Sequence, residues 1–324
     1  MRNIYLILVI ILSGCSGQRK TRILQLAHGL PVNHPVHIAM QYMADRVAEA
    51  SHGSMMIRIY PGGQLGSEQQ NVELLQLGSL AMTKVSAAVM EGFSEDYKVL
   101  GLPYLFKDKA HYFKVCDSDI GKQILTSTDD KWLRGLAFYD AGARSFYTAN
   151  KPVHKPADLT GLKLRVMKSQ TAMKMVAALG GSPTPLSWGE LYTALQSGVV
   201  DGAENNPPTF YNSHQYEVCK YYTLDEHASI PDVLLMSKVV WDKLTGEQQS
   251  ILNEAVKASV RKERELWANA EQDALNKLSE AGVKIIRPEK DAFAQKVQSL
   301  YRTYAGNPKL KKYIRAINNL ALTN

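Results

Sequence analysis

The chain has 324 residues, 45% of them hydrophobic, three cysteines, and a formal net charge of +7 from 38 Lys/Arg against 31 Asp/Glu. That length and apolar content supply one large domain or two, and exclude a disulfide-built scaffold and a disordered chain. The basic excess has no Lys/Arg block and no nucleic-acid motif behind it, so nucleic acid is not an expected partner; it reads as a solvated basic surface or as a field that favours small anions.

Arg2 gives a positive start and Ile4 to Leu12 is almost wholly apolar. That run is too short to span a bilayer as a helix, so residues 1–14 read as a secretory signal. Leu12-Ser-Gly-Cys15 resembles a bacterial lipobox, which implies cleavage before Cys15, lipidation of Cys15, and a protein at the periplasmic or cell surface held by acyl chains, with Ser16 to Lys20 as a tether. An ordinary cleaved signal with an incidental cysteine is the alternative. Export leaves Cys116 and Cys219 either as a disulfide or as two separate buried thiols, and their apolar neighbours favour the thiols.

Arg22 to Ala27 alternates around Ile23 and Leu26 as a strand, and Val36, Met40, Met43, Val47 and Ala50 follow at helical spacing. Met55 to Tyr60 is a second strand. After the turn Pro61-Gly-Gly-Gln-Leu-Gly66, a helix begins at Ser67 and ends near Gly78. This alternation predicts an α/β domain with parallel strands and crossovers. Leu102 to Phe106 is an apolar loop, Lys109 to Cys116 and Ile120 to Leu125 are helical, and Gly135 to Tyr139 is a strand. Arg165 closes the short strand in Thr160-Gly-Leu-Lys-Leu-Arg-Val-Met167. Ser187 with Glu190 is a capping box for a helix whose apolar face carries Leu191, Ala194 and Leu195, and Asp201 to Pro208 is an Asn-rich turn. Val233 to Ser237 is a further strand. Thr245 with Gln248 is a second capping box, and from there to Gly282 a helical pattern of roughly 50 Å suits a brace between two domains. A late strand at 282–288 and two amphipathic helices close the chain.

No Walker loop, dinucleotide fingerprint, nucleophile elbow or His-Glu-x-x-His motif is present, so no cofactor is expected. His34 and His37 lack a third ligand at metal spacing, so no metal site is expected either. An enzyme has little to stand on.

Pro61-Gly-Gly-Gln-Leu-Gly-Ser-Glu68, Leu102-Pro-Tyr-Leu-Phe, Gly161-Leu-Lys-Leu-Arg165-Val, Gly181-Ser-Pro-Thr-Pro, Glu190 to Gly198 and Asp201-Gly-Ala-Glu-Asn205 occur in this order. Together they resemble the extracytoplasmic solute-binding proteins of tripartite ATP-independent periplasmic (TRAP) transporters over nearly the whole chain beyond the signal. The resemblance implies a two-lobed periplasmic-binding-protein fold with mixed sheets, crossing strands and a long bracing helix. One lobe would comprise 22–141 with 231–271, the other 142–230 with 272–324. It also implies a ligand enclosed between the lobes and delivery to a small and a large integral membrane subunit.

In that family the arginine at position 165 pairs with the ligand carboxylate, and a guanidinium fork matches a carboxylate in an enclosed cleft. By the same resemblance Arg144 is a second ligand arginine, and Asn205 is the binding amide, although the doublet Asn205-Asn206 leaves open which of the two faces the cleft. Trp188 either lies against the face of a sugar or packs in the first turn of its helix. Glu68 either accepts from ligand hydroxyls or favours its own helix N-terminus. Lys84 and Ser86 fall in a first-lobe wall segment that departs from the sialic acid binders, and His28 and Asn33 are further candidates.

One carboxylate's worth of cationic groups among many hydroxyl partners favours a hydroxylated monocarboxylate. Tyr139 to Tyr147 and Asp201 to Pro208 also resemble the branch associated with hexuronates such as D-glucuronate and D-galacturonate. A C4-dicarboxylate such as malate or succinate is the alternative. From other classes come a secreted sugar-acid enzyme using Glu68 and Glu204 as acid and base, and a sensor domain.

Overall fold

The structure, a computed structural model, describes residues 21–322; the signal segment and Cys15 lie outside the described residues. Two mixed sheets organise the chain. Strands β1 (Arg22–Ala27), β2 (Met55–Tyr60), β3 (Met82–Ser86) and β4 (Leu133–Tyr139) form the first, and β5 (Arg144–Thr148), β6 (Lys163–Val166), β7 (Ser182–Pro185), β8 (Gly202–Asn205) and β9 (Tyr221–Ala228) belong to the second. Strand β10 (Asp232–Ser237) returns to the first and β11 (Lys284–Ile286) to the second, giving the orders β2-β1-β3-β10-β4 and β11-β9-β5-β8-β6-β7. The chain crosses between sheets three times, at 140–143, at 229–231 and, through α9 (Lys238–Trp241) and the long helix α10 (Gly246–Glu280), between β10 and β11.

The expected parallel pairing holds for β1 with β2 and β3, but β10 runs antiparallel to both β3 and β4. In β1 the buried face is Leu24 and Leu26, and Ile23 is exposed, so the alternation sits one residue away from Ile23. The Asn-rich turn at 201–208 contains a wholly buried strand, β8, paired on both sides by β5 and β6. Its residues, Gly-Ala-Glu-Asn, carry no apolar alternation because the polar ones are satisfied inside the sheet.

The helices are α1 (Pro35–Ala50), α2 (Glu68–Gln76), α3 (Ala87–Met90), α4 (Lys109–Asp117), α5 (Asp119–Thr126), α6 (Gln170–Ala178), α7 (Trp188–Gln196), α8 (Pro207–Asn212), α9 (Lys238–Trp241), α10 (Gly246–Glu280), α11 (Lys290–Lys296), α12 (Gln298–Ala305) and α13 (Pro308–Leu320). Both expected capping boxes form, Ser187 with Glu190 and Thr245 with Gln248. Helix α10 runs unbroken for 35 residues. Its residues Leu252, Ala255, Val256 and Trp267 pack into the core with α1 and β1, and Leu278 joins the core of the second sheet. A single rigid rod therefore touches both units. Three helices rather than two close the chain, with α12 packed on α6 and α13 on α4 and α5. Cys116 and Cys219 are free thiols in different core clusters. Among the described residues no helix is long and apolar enough to cross a membrane.

Candidate functional site

The two sheets face each other across a cleft enclosing roughly 800 Å³, its open mouth included. Eight of the ten residues expected at a ligand line it: Glu68, Lys84, Ser86, Arg144, Arg165, Trp188, Asn205 and Asn206. His28 and Asn33 do not. His28 is buried beneath the cleft, where its Nδ1 accepts from the Leu30 amide at 3.1 Å and its Nε2 meets His37 at 3.0 Å. Burial, with Lys84 and His37 nearby, pushes its pKa down to about 3. Asn33 is exposed and its Nδ2 donates to Asn212 Oδ1 at 3.4 Å, a link between the two units. The neighbouring His34 reaches the cleft instead, as the N-cap of α1, and meets Thr209 of α8 at 3.1 Å.

The two arginines differ in kind. Arg144 is committed: its Nε lies 2.5 Å from Glu204 Oε2, its Nη2 donates to Glu204 Oε1 at 3.0 Å, and its Nη1 donates to Asn205 Oδ1 at 3.0 Å. Behind Glu204 stands His227, 3.5 Å away, whose Nδ1 lies 2.8 Å from Asp225. Burial alone would raise the Glu204 pKa, but attraction to Arg144 and bonds from His227 and Arg144 outweigh it and hold the carboxyl at about 2. A carboxylate so held has no proton to give at neutral pH, and Glu204 is not among the cleft-lining residues, so the expected acid and base pair with Glu68 does not form.

Arg165 is 2% exposed, and its Nε donates to Leu186 O at 3.0 Å. Among the described residues its Nη1 has no hydrogen-bond partner. Burial pulls its pKa down against the pull of Tyr147 and Glu204. Strand β6 supplies the rigid mount, and the ring of Trp188, at the first position of α7, lies 5.9 Å from the guanidinium carbon. Trp188 crosses towards the other unit, where a Cβ on Gly29 would come within 3.3 Å of it. An uncompensated buried cation of this kind is costly to keep unless an anion meets it.

The opposite wall belongs to the first sheet. Lys84 Nζ lies 3.2 Å from Glu68 Oε1 and 3.1 Å from Asp232 Oδ2, while Glu68 Oε2 accepts the Ser86 amide at 3.2 Å. Glu68 thus sits at the start of α2 and in the cleft at once. The two amides of the doublet both line the cleft but differ in their partners. Asn206 caps α8 with its Oδ1 and donates its Nδ2 to Asn205, whereas Asn205 Oδ1 receives three donors and its Nδ2 bonds nothing among the described residues. Sequence reasoning missed His34, Thr209, Trp267 and Asp232, all cleft-lining. Only Pro231 before Asp232, marking a break in the chain, signals any of them.

Three comparisons identify relatives. The chain matches the family described as bacterial extracellular solute-binding protein, family 7, across residues 26–307. A TRAP periplasmic solute-binding protein from Xanthobacter autotrophicus Py2 with bound β-D-galacturonate is 40% identical, with a TM-score of 0.88 over 91% of this chain and 98% of that one. One from Anaerococcus prevotii with bound D-glucuronate is 36% identical, with a TM-score of 0.91 over 93% of this chain and 98% of that one. The C4-dicarboxylate-binding periplasmic protein DctP of Rhodobacter capsulatus is 33% identical over 72% of this chain and 70% of its own length. The interlobe cleft, the mixed sheets and these matches agree: this chain belongs to the family of TRAP-transporter solute-binding proteins, which bind and hand over solutes and are not enzymes.

Proposed function

We propose that this protein captures a hexuronate, D-glucuronate or D-galacturonate, and delivers it to the membrane subunits of its transporter. The observation that carries the reading is the buried Arg165 guanidinium with an unpartnered Nη1 in the cleft wall. It takes the ligand carboxylate; Asn205 Nδ2 and Glu68 meet hydroxyls, and Trp188 lies against the ring. Arg144 acts mainly as a fixed support that holds Asn205 and Glu204. The lobes correspond to 22–141 with 231–271 and to 142–230 with 272–324, and the protein resides in the periplasm or at the cell surface on a lipidated Cys15.

Solved relatives holding galacturonate and glucuronate support the ligand class. A C4-dicarboxylate has the Rhodobacter relative in its favour. Against it stands the wall opposite Arg165, where two carboxylates share one lysine; the other lining cation without an ion pair among the described residues, Lys168, is exposed. A thermal-shift panel of sugar acids and dicarboxylates decides the matter. A uronate at a hundred times its Kd adds about 2.7 kcal/mol to stability and raises the melting temperature. Succinate or malate raising it while both uronates leave it unmoved overturns the proposal.

A further inference from the structure

Strand β10 begins at Asp232, the first residue after the second crossing between the sheets, and places its carboxylate in the cleft wall. Asp232 is 8% exposed, and its one side-chain partner among the described residues is Lys84, 3.1 Å from Oδ2. The same ammonium lies 3.2 Å from Glu68 Oε1. One positive charge is therefore shared by two carboxylates in a largely dry wall, leaving a net negative unit opposite the guanidinium of Arg165. Glu68 spends its second oxygen on the Ser86 amide, whereas Asp232 Oδ1 remains uncommitted.

We propose that Asp232 is a ligand-binding residue that reads the hydroxyl groups of the sugar acid and, together with Glu68, excludes ligands carrying a second carboxylate. This rests on the hexuronate reading and deepens it. An ionised carboxylate only accepts hydrogen bonds, so it suits the hydroxyl donors of a polyol. A second ligand carboxylate has no proton to donate and meets like charge in a site where water screens little. Burial raises the Asp232 pKa, and the Lys84 ammonium opposes that rise. The lysine also fixes both carboxylates in place, and a pre-set geometry lowers the cost of engaging them.

The test is isothermal titration of the wild type, Asp232→Asn and Glu68→Gln with three probes: D-galacturonate, tetrahydropyran-2-carboxylate, which keeps the ring acid without the hydroxyls, and succinate. The expected result is that Asp232→Asn weakens galacturonate by about tenfold or more, leaves tetrahydropyran-2-carboxylate unchanged, and tightens succinate by about tenfold. Asn retains a carbonyl oxygen for Lys84, and Glu68→Gln tests the same wall from α2 should Asp232→Asn not fold. Equal weakening of galacturonate and its hydroxyl-free analogue means that the residue only supports the cleft, and overturns the inference while the hexuronate reading stands. Failure of the wild type itself to bind galacturonate or glucuronate overturns both.

Discussion

Two buried arginines of one sheet, on β5 and β6 with β8 between them, have opposite energetics. Arg144 is matched by Glu204 along the Nε–Nη2 edge of its guanidinium, so Arg144→Ala strands a buried carboxylate beside His227. That substitution is expected to destabilise the fold by about 3 kcal/mol or more, read as a drop in urea midpoint. Arg165 has no such counter-ion; its Nη1 bonds nothing among the described residues and its burial already works against its charge. Arg165→Ala is expected to leave the urea midpoint within about 0.5 kcal/mol of wild type, or to raise it, while uronate affinity falls at least about a hundredfold. Equal destabilisation by both substitutions contradicts the division of labour. Sequence alone ranked both as ligand arginines because it shows the guanidinium and not the counter-ion, which lies sixty residues away on β8.

At the level of elements, function rests on the crossing between β4 and β5. Gly142 has φ +57, and a Cβ there would stand 2.6 Å from Glu271 Oε1 and 2.9 Å from Trp267 Nε1 on the long helix. The crossing is also tied to α10 by the Asp140 amide, which donates to Glu263 Oε2 at 3.0 Å. Gly142→Ala is thus expected to cost about 1 to 3 kcal/mol in chemical denaturation and to change uronate affinity, since the crossing joins the two lobes. Gly161→Ala is the control: φ is +82 there, and a Cβ meets nothing within 4 Å. It should cost about 1 kcal/mol and leave affinity alone. Helices α1, α2, α4, α5, α7 and α10 were legible because each is written in a local period, and α7 and α10 also carry a Ser or Thr capping box; α3, α6, α8 and α9 were not foreseen. Strands β7 and β8 were not legible either: Ser-Pro-Thr-Pro and Gly-Ala-Glu-Asn lack an apolar alternation, and pairing within the sheet overrides their local preference.

For the whole molecule, the buried chain Arg144, Glu204, His227, Asp225 sets a pH window. Glu204 is held at about 2 in the fold, below the unfolded value of about 4.3, so its contribution is present above pH about 4 and is lost as pH falls towards 2. His227 is pushed up to about 9 because Asp225 and Glu204 outweigh its burial; its contribution is present below pH about 6.5 and is lost as pH rises towards 9. Melting temperature is expected to fall between pH 7 and 9 in the wild type and to fall less in His227→Gln. Glu263, raised by burial and by Asp140, slopes the same way in both proteins, so the difference isolates His227. Parallel curves contradict the assignment. Net charge, in contrast, says little about the cleft. The nine Lys/Arg and two Asp/Glu after Val283 account for the entire formal +7, and no cleft-lining residue lies beyond Trp267. Selection for an anion is therefore expected from Arg165 rather than from the overall field.

The sequence by itself determined the α/β class, the two capping boxes, the 35-residue brace and eight of the residues that meet in the cleft, because those properties follow from local periods and from ordered motifs. Only the tertiary structure decided which of those residues are free to bind. Arg144 is neutralised by Glu204 and Lys84 is shared between Glu68 and Asp232, through partners distant in the chain, while Asn206 is spent on the cap of α8 three residues on. Charge compensation in a dry interior acts over a few ångströms of space, and no spacing along the chain encodes it.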